Sequence, residues 1–342
     1  TWTRTSIVKL ILPVAGYGKR MRPHTWSRPK VLIDVAGKPM LGHVLDQFDG
    51  VGIDEVIYIT GWLGEQIKPY VEANYPQFGA QFVEQEELVG QSHAIWLARE
   101  HISGPCFIVF ADTISRIDLR AMAQADADGV LGVWQVDDPR RFGVAFTRPD
   151  GTVERCVEKP ESAEHKLAIM GVYFVREGRD LIGAIEEQMA RRQTLKGEFF
   201  LADAFNLMLE QGARFTTETM TVWQDCGVPA YHLATNRWLL DHGSDNSQSH
   251  AARLVNSAII PPVHLADGCL LEDSVVGPHV VVEAGCQVVD SRLRDVILMA
   301  GSLVQGSQLH DSLVGERVEV KGYTGSLNVG DDSQVAGRTT VD

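Results

Sequence analysis

The stretch from Leu10 to Lys30 constrains this chain more than any other. Leu10-Ile-Leu-Pro-Val-Ala15 is apolar throughout and runs straight into Gly16-Tyr17-Gly18, after which Lys19, Arg20, Arg22, Arg28 and Lys30 follow closely. A strand that ends in a glycine turn leaves backbone N–H groups facing open space, where an anion or a base edge can meet them. Clustered cations beside such a turn suit a polyphosphate. An ordinary strand-to-helix turn with basic surface residues fits the same letters, and the spacing alone leaves both open. Two common nucleotide motifs do not fit. A Walker A loop continues from Gly-Lys into Ser or Thr, whereas Gly18-Lys19 is followed by Arg20. The dinucleotide fingerprint places a third glycine where Met21 stands.

The segments that follow alternate in period. Residues 7–13, 55–60, 80–84 and 106–111 read as strands, and 39–49, 63–74 and 92–101 as helices. Such alternation predicts an α/β sheet with helices on both faces. Ligands of such sheets bind outside the carboxyl ends of the strands, where the glycine turn, Gln85 and Asp112 all fall. Asp112 is either the cap of the next turn or a Mg²⁺ ligand. Mg²⁺ takes one or two carboxylates with phosphate oxygens and water, and Trp223-Gln-Asp225-Cys-Gly227 offers a second carboxylate, Asp225. Gln85 taken alone reads as a solvated loop residue, although its amide carries the donor and the acceptor needed to grip a base edge. Glu158-Lys159 before Pro160 reads as a surface ion pair of little energetic weight. Residues 153–157 and 170–174 are further strands, and 179–189 and 230–241 further helices.

Beyond residue 241 the texture changes. Residues 242–257 are polar and read as a linker. Cys269-Leu-Leu-Glu-Asp-Ser-Val-Val276, Ser291-Arg-Leu-Arg-Asp-Val-Ile-Leu298 and Ser307-Gln-Leu-His-Asp-Ser-Leu-Val314 align with one another and are punctuated by glycines. Short aliphatic strands with small turn residues predict a hexapeptide parallel β-helix, with a small antiparallel domain as the alternative. The net charge of −14 argues against a general nucleic-acid binder. Five scattered cysteines without Cys-x-x-Cys spacing suit a reducing, cytoplasmic setting better than disulfides or zinc. No apolar run reaches membrane-spanning length, and residues 1–6 are polar with no signal-peptide character.

Gly16-x-Gly18-x-Arg20, Arg22-Pro23, Thr25, Arg28-Pro29-Lys30 and Gly37-Lys38-Pro39-Met40 resemble the sugar-1-phosphate nucleotidylyltransferases. The chain departs from that pattern at Lys19, usually Thr or Ser, and at Met21, usually Leu. The resemblance extends to Gln85-x₄-Gly90-x₃-Ala94, to Ala111-Asp112-Thr113 with Ala for the usual Gly, and to Trp223-x-Asp225-x-Gly227. It also covers Gly197-Glu198-x₃-Ala202-Asp203, with Ala202 for the usual Thr. Leu327-Asn-Val-Gly-Asp-Asp-Ser-Gln-Val335 is similar to the end of the long-form glucose-1-phosphate thymidylyltransferases, which carry a β-helical tail.

The resemblance implies a Rossmann-like doubly wound mixed sheet of the nucleotide-diphospho-sugar transferase type over residues 7–241. A left-handed parallel β-helix over 258–342 would follow, an exception to the crossover rule. It implies that dTTP or UTP condenses with a sugar 1-phosphate, by default glucose 1-phosphate, to give a nucleotide sugar and pyrophosphate. In the roles it carries over, Ala15, Gly16 and Gly18 hold the nucleotide, and Gln85 and Gly90 read its base. Mg²⁺ would sit on Asp112 and Asp225. Arg20 would bind the triphosphate and Lys30 would orient it. Lys159 would hold the sugar's phosphate and Glu158 would accept from its hydroxyls. Gly143 and Gly171 would add backbone contacts, and Glu198 a further sugar contact. No nucleic acid or membrane enters, and the tail is expected to serve homo-oligomerisation or stability. Two alternatives remain: an acyltransferase using His264, His279 or His310 of the β-helix as base, and a non-catalytic regulatory homologue.

Overall fold

The structure, a computed structural model, describes residues 8–248 and 252–337. Residues 1–7, 249–251 of the predicted linker and 338–342 of the tail lie outside the described residues. The chain divides into two compact units. One comprises the chain up to Gly16, Val44–Ala111 and Ser115–Trp223. The other comprises Tyr17–His43, Asp112–Ile114 and the chain from Gln224 onward.

The first unit is built on a nine-stranded sheet. Its strands are β1 (Val8–Pro13), β2 (Ile53–Thr60), β3 (Gly79–Glu84), β4 (Cys106–Val109), β5 (Gly129–Gln135), β6 (Gly143–Thr147), β7 (Val153–Glu158), β8 (Leu167–Val175) and β9 (Phe215–Thr219). The order is β7-β6-β8-β4-β1-β2-β3, with β5 paired to β8 and β9 to β5. β1 lies parallel to both β2 and β4, and β8 runs antiparallel to β4, so the sheet is mixed. Leu10, Ile11 and Leu12 are all fully buried, as a central strand covered on both faces requires. On one face Ile11, Ile57, Ile59, Ile108 and Tyr173 pack with Ile95, Leu181, Ile185 and Phe205. Those last four come from helices Gln91–Leu97, Gly178–Ala190 and Leu201–Glu210.

The second unit contains a parallel β-helix. Arg253 pairs with Leu270, Leu270 with Gln287, Gln287 with Leu303, Leu303 with Glu319 and Glu319 with Gln334, so successive coils take 15–17 residues. The coils are thus shorter than a strict run of three hexapeptides. Inward Val263, Leu271, Val280, Val288, Val296, Val304 and Val320 stack down the axis, which is how thin coils acquire a core. Asp273, Asp290, Asp295 and Asp311 occupy the corners with φ of 44–55°, a conformation a short Asp side chain tolerates.

A serine ladder fixes the register. Ser257 Oγ accepts from the Ser274 N–H, Ser274 Oγ from Ser291 N–H, Ser291 Oγ from Ser307 N–H and Ser307 Oγ from Tyr323 N–H, all at 3.0–3.1 Å. Each hydroxyl satisfies a turn N–H that the adjoining ladders leave unpaired. The ladder corrects one part of the sequence alignment. Ser291 and Ser307 do match, but their equivalent one coil earlier is Ser274, because Val275 pairs with Arg292; Cys269 instead stacks before Cys286. The stretch read as a linker also differs from expectation. Asn246 bonds the backbone of Val263 and Leu265, and Arg253–Val255 is already a β-helix strand. Its polar side chains cap the first coil rather than solvate a tether.

The outward side of this β-helix is apolar where it is covered. Val281, Ile297, Met299 and Leu313 pack against Met21, Ile33, Val35 and Met40 of the segment that follows the glycine turn, and against Leu233 and Leu239 of helix Pro229–Leu239. Met21, a departure from the usual Leu, is fully buried there, and an unbranched side chain adapts readily to such a site. Beside this core the Asp34 and Glu283 carboxyls act on one another, and Glu283 Oε2 accepts from Ala300 N–H at 2.9 Å. Burial pushes both groups up, Glu283 well above the usual range. A raised folded-state value means stability is complete at low pH and is lost as pH rises through it. Glu283→Gln removes the buried titratable carboxyl and keeps an oxygen for Ala300 N–H. It should raise the melting temperature by a few degrees at pH 8 and by less at pH 4, as differential scanning calorimetry at the two pH values would show.

Candidate active site

In the first unit the chain leaves β1 through Val14 and Ala15, held by Val14 N–H to Ile59 O at 2.8 Å and Trp62 N–H to Ala15 O at 3.4 Å. Gly61 approaches so closely that a Cβ there would lie 2.7 Å from Ala15 O. A Cβ on Gly16 would meet nothing within 4 Å, leaving the backbone open on that side. Gln85 follows β3, is 5% exposed, and donates its N–H to Thr60 O at 2.8 Å. It is therefore not the solvated loop residue that the sequence alone favours.

Gly90 has φ +120°, and a Cβ there would fall 2.3 Å from Phe199 N. Phe199 N–H in turn donates to Val89 O, and Ser92 N–H to Phe199 O. Residues 198–200 thereby join the glycine to a second group. Lys159 Nζ lies 4.3 Å from the Phe200 ring centroid and 3.6 Å from Glu158 Oε1. Glu158 Oε2 would be 3.0 Å from a Cβ on Gly143, so that position admits only hydrogen without displacing the carboxylate. Burial pushes the Glu158 carboxyl up, Lys159 opposes this, and Asp203 and Glu198 push it further up. Glu198 itself is exposed in a tight turn closed on Leu195. Gly171 is set apart on β8: with φ +73°, it accepts from Phe110 N–H. Phe199 and Phe200 are contributors that motif reading passed over; two adjacent aromatics after Gly-Glu were the available signal. Gly90→Ala should destabilise the chain by about 3 kcal/mol, through backbone strain and collision with Phe199, measured by denaturant unfolding.

The second unit gathers the cations and carboxylates. Gly18 has φ +59°, and a Cβ there would sit 2.8 Å from Thr25 Cγ2; Thr25 Oγ1 donates to Gly18 O at 3.0 Å. The turn this closes, Lys19–Met21, buries Met21 and leaves Arg20 exposed. The Arg20 guanidinium would lie 3.1 Å from a Cβ on Gly227, whose N–H donates to Asp225 Oδ1 at 2.5 Å. Cys226 N–H donates to Asp112 O at 3.2 Å, and Lys30 Nζ forms an ion pair with Asp112 Oδ2 at 3.1 Å. Burial pushes the Cys226 thiol up to about 12, so it is a neutral spacer between the two acids. Gly18, Arg20, Lys30, Asp112 and Asp225 are thus brought together. Lys19 is exposed and its Nζ stands 5.2 Å from the Tyr17 ring centroid. Arg22 stacks over Trp26 at 3.7 Å, and Arg28 is paired with Glu316 of the β-helix. Those two cations are engaged by protein partners, which sequence clustering could not show.

Two carboxylates suit an ion that completes its shell with phosphate oxygens and water. Among the described residues no three His, Cys, Asp or Glu side chains cluster to hold a metal by themselves. The histidines considered for acyl transfer have structural partners. His264 approaches Ser244 O at 3.3 Å, His279 lies 3.0 Å from Asp241 and 3.4 Å from Asp295, and His310 lies 3.0 Å from Asp311. All five cysteines are buried and unpaired as disulfides. No helix among the described residues is long and apolar enough to cross a membrane.

A glycine turn after the central strand of a mixed α/β sheet, with cations and a pair of carboxylates, is an arrangement suited to a polyphosphate and a divalent ion. Comparison with known proteins specifies the class. The nucleotidyl transferase family model matches residues 9–240. The glucose-1-phosphate thymidylyltransferase of Streptomyces antibioticus is 27% identical over 92% of this chain and 93% of its own length. The bifunctional protein GlmU of Methanococcus vannielii is 28% identical over 67% of this chain and 54% of its own length. Among solved structures, a UDP-glucose pyrophosphorylase complexed with UDP-glucose superposes with a TM-score of 0.61 at 19% identity, covering 69% of this chain and all of that one; this likeness speaks to the fold. The chain belongs to the nucleotidyl transferase family, among its sugar-1-phosphate nucleotidylyltransferases.

Proposed function

We propose that the chain transfers a thymidylyl or uridylyl group from dTTP or UTP to glucose 1-phosphate, with Mg²⁺ held by Asp112 and Asp225. The observation that carries this reading is the contiguous set Arg20, Asp225, Asp112 and Lys30, two cations and two carboxylates behind one glycine turn. In this reading Ala15, Gly16 and Gly18 meet the nucleotide, and Gln85 and Gly90 meet its base. Lys159 binds the sugar's phosphate, Glu158 and Glu198 accept from its hydroxyls, and Gly143 and Gly171 contribute main-chain contacts. Residues 7–241 supply the chemistry, and 258–342 the supporting tail.

When bound, the divalent ion neutralises charge on the α-phosphate. A phosphate oxygen of the sugar phosphate forms the new bond to the α-phosphorus as the bond to the bridging oxygen breaks, and pyrophosphate leaves with the electron pair. The nucleophile is anionic near neutral pH, so no side chain has to remove a proton. The chain's task is positioning and charge neutralisation: Arg20 at the departing pyrophosphate, Lys30 at the triphosphate, Lys159 at the nucleophile. A matrix of nucleoside triphosphates against sugar 1-phosphates, read by pyrophosphate release, tests it. The highest kcat/KM should fall on dTTP or UTP with glucose 1-phosphate; preference for a purine triphosphate, or for another sugar, would replace the corresponding part. dTTP and UTP differ by the base methyl group and by the 2′-hydroxyl, and the methyl group alone supplies only about 1–3 kcal/mol of discrimination.

A further inference from the structure

Resting on the nucleotide reading above, we propose that the tail contributes positioning residues to the reaction: Glu316, Asn328 and Asp331 hold the segment between Arg20 and Lys30 in the arrangement that receives the triphosphate. The two cations lie on separate short turns, Lys19–Met21 and Lys30–Leu32, with a third turn, His24–Trp26, between them. Three-residue turns carry little stability of their own. The apolar contacts of this segment lie at its two ends, at Met21 and from Ile33 to Met40. Its middle is held by polar contacts to the β-helix. His24 Nε2–H donates to Asn328 Oδ1 at 2.7 Å, Ser27 Oγ donates to Asp331 Oδ2 at 2.7 Å, and the Arg28 guanidinium pairs with Glu316 Oε1.

These partners are themselves fixed. Asp331 Oδ1 accepts from the Glu316 N–H at 2.8 Å, and Arg317 donates to Glu316 Oε2 at 2.6 Å. Gly330 brings the backbone against the segment, since a Cβ there would lie 3.0 Å from Pro23 Cβ. His24 is 1% exposed and burial holds its pKa down, so the neutral ring keeps one proton for Asn328. Neighbouring coils thus present a carboxylate, an amide and a second carboxylate to three side chains spaced over five residues. Charge-assisted and geometrically specific contacts of this kind select one conformation of a short segment. They also occupy Arg28, which takes it out of the set of cations offered to phosphate.

The test uses the full chain. Glu316→Ala and Asn328→Ala should each raise the dissociation constant for Mg-dTTP or Mg-UTP, measured calorimetrically, by about tenfold, as loss of one such contact implies. The KM for glucose 1-phosphate should stay within about twofold. Glu316→Gln should restore part of the loss, and Glu316→Ala combined with Arg28→Ala should be no worse than either alone. Glu319→Ala, which removes an exposed pair with Lys321, serves as control. Triphosphate affinity unchanged in both alanine variants, or both substrates weakened equally alongside a lowered melting temperature, would overturn the proposal. If Glu316→Ala does not fold, Asp331→Asn, which keeps the side-chain shape and removes the charge facing Ser27, is read in the same way. A wild type that binds the triphosphate but transfers to no sugar phosphate would overturn the functional reading and leave this comparison intact. A wild type that binds no triphosphate would overturn both.

Discussion

Asp225→Asn is expected to lose roughly 10²–10³-fold in Mg-dependent turnover while melting where the wild type melts, the loss typical of one electrostatic transition-state contact. The substitution isolates charge from structure. Asp225 Oδ1 accepts the Gly227 N–H, and an asparagine oxygen accepts it equally well. The peptide carbonyl of residue 225, which accepts from Thr235 Oγ1 at 2.9 Å, is untouched. What disappears is the negative charge that neighbours Arg20 at Gly227. If that charge holds the divalent ion, the variant's activity should rise with Mg²⁺ well beyond the wild-type saturation point. Wild-type kcat at limiting Mg²⁺ would remove Asp225 from the ligand set. A large fall in melting temperature would assign it to the turn instead.

Lys159→Ala is expected to raise the KM for glucose 1-phosphate by about 10–100-fold, the worth of a charge-assisted hydrogen bond of about 1.5–3 kcal/mol, with triphosphate affinity unchanged. A second effect has a fixed sign. Burial already pushes Glu158 up and Lys159 pulls it down, so removing the lysine moves the carboxyl further up. A sugar hydroxyl is best accepted by the ionised form, which is then reached only at higher pH. The acid limb of kcat/KM for the sugar phosphate should therefore shift to higher pH in Lys159→Ala. Lys159→Arg should move it back, because a guanidinium restores the neighbouring positive charge. An unchanged KM with an unshifted acid limb would return Glu158-Lys159 to the surface ion pair that its letters first suggest.

Much of this was legible because the signals are local. The apolar run before Gly16 reads as a central strand, and Leu10, Ile11 and Leu12 are buried on both faces. Gly18 reads as part of a glycine turn, and its φ of +59° is what such a turn requires there. Long-range features are less legible. The tail's register was misjudged at Cys269 because aliphatic pairs recur at several offsets, whereas the serine that caps the next coil recurs at only one. Arg28 looked like a phosphate cation because its partner, Glu316, is 288 residues away. The packing of the turn segment on the tail left a trace that went unread in Val280-Val-Val282 and Val296-Ile-Leu298. A β-helix strand that is aliphatic at three successive positions has an outer face that needs covering as well as an inner one.

That outer face sets a limit on how portable the family region is. The matched segment ends at residue 240, and a gene cut there looks like a complete cassette. Val281, Ile297, Met299 and Leu313 would leave with the excised piece, and Met21, Ile33 and Met40 would lose their cover. The scar would open under the segment that bears Arg20 and Lys30. A lineage shedding this tail would have to rewrite those three positions toward polar residues, so the tail and the turn segment are tied as one heritable unit although most of the sheet lies between them in sequence.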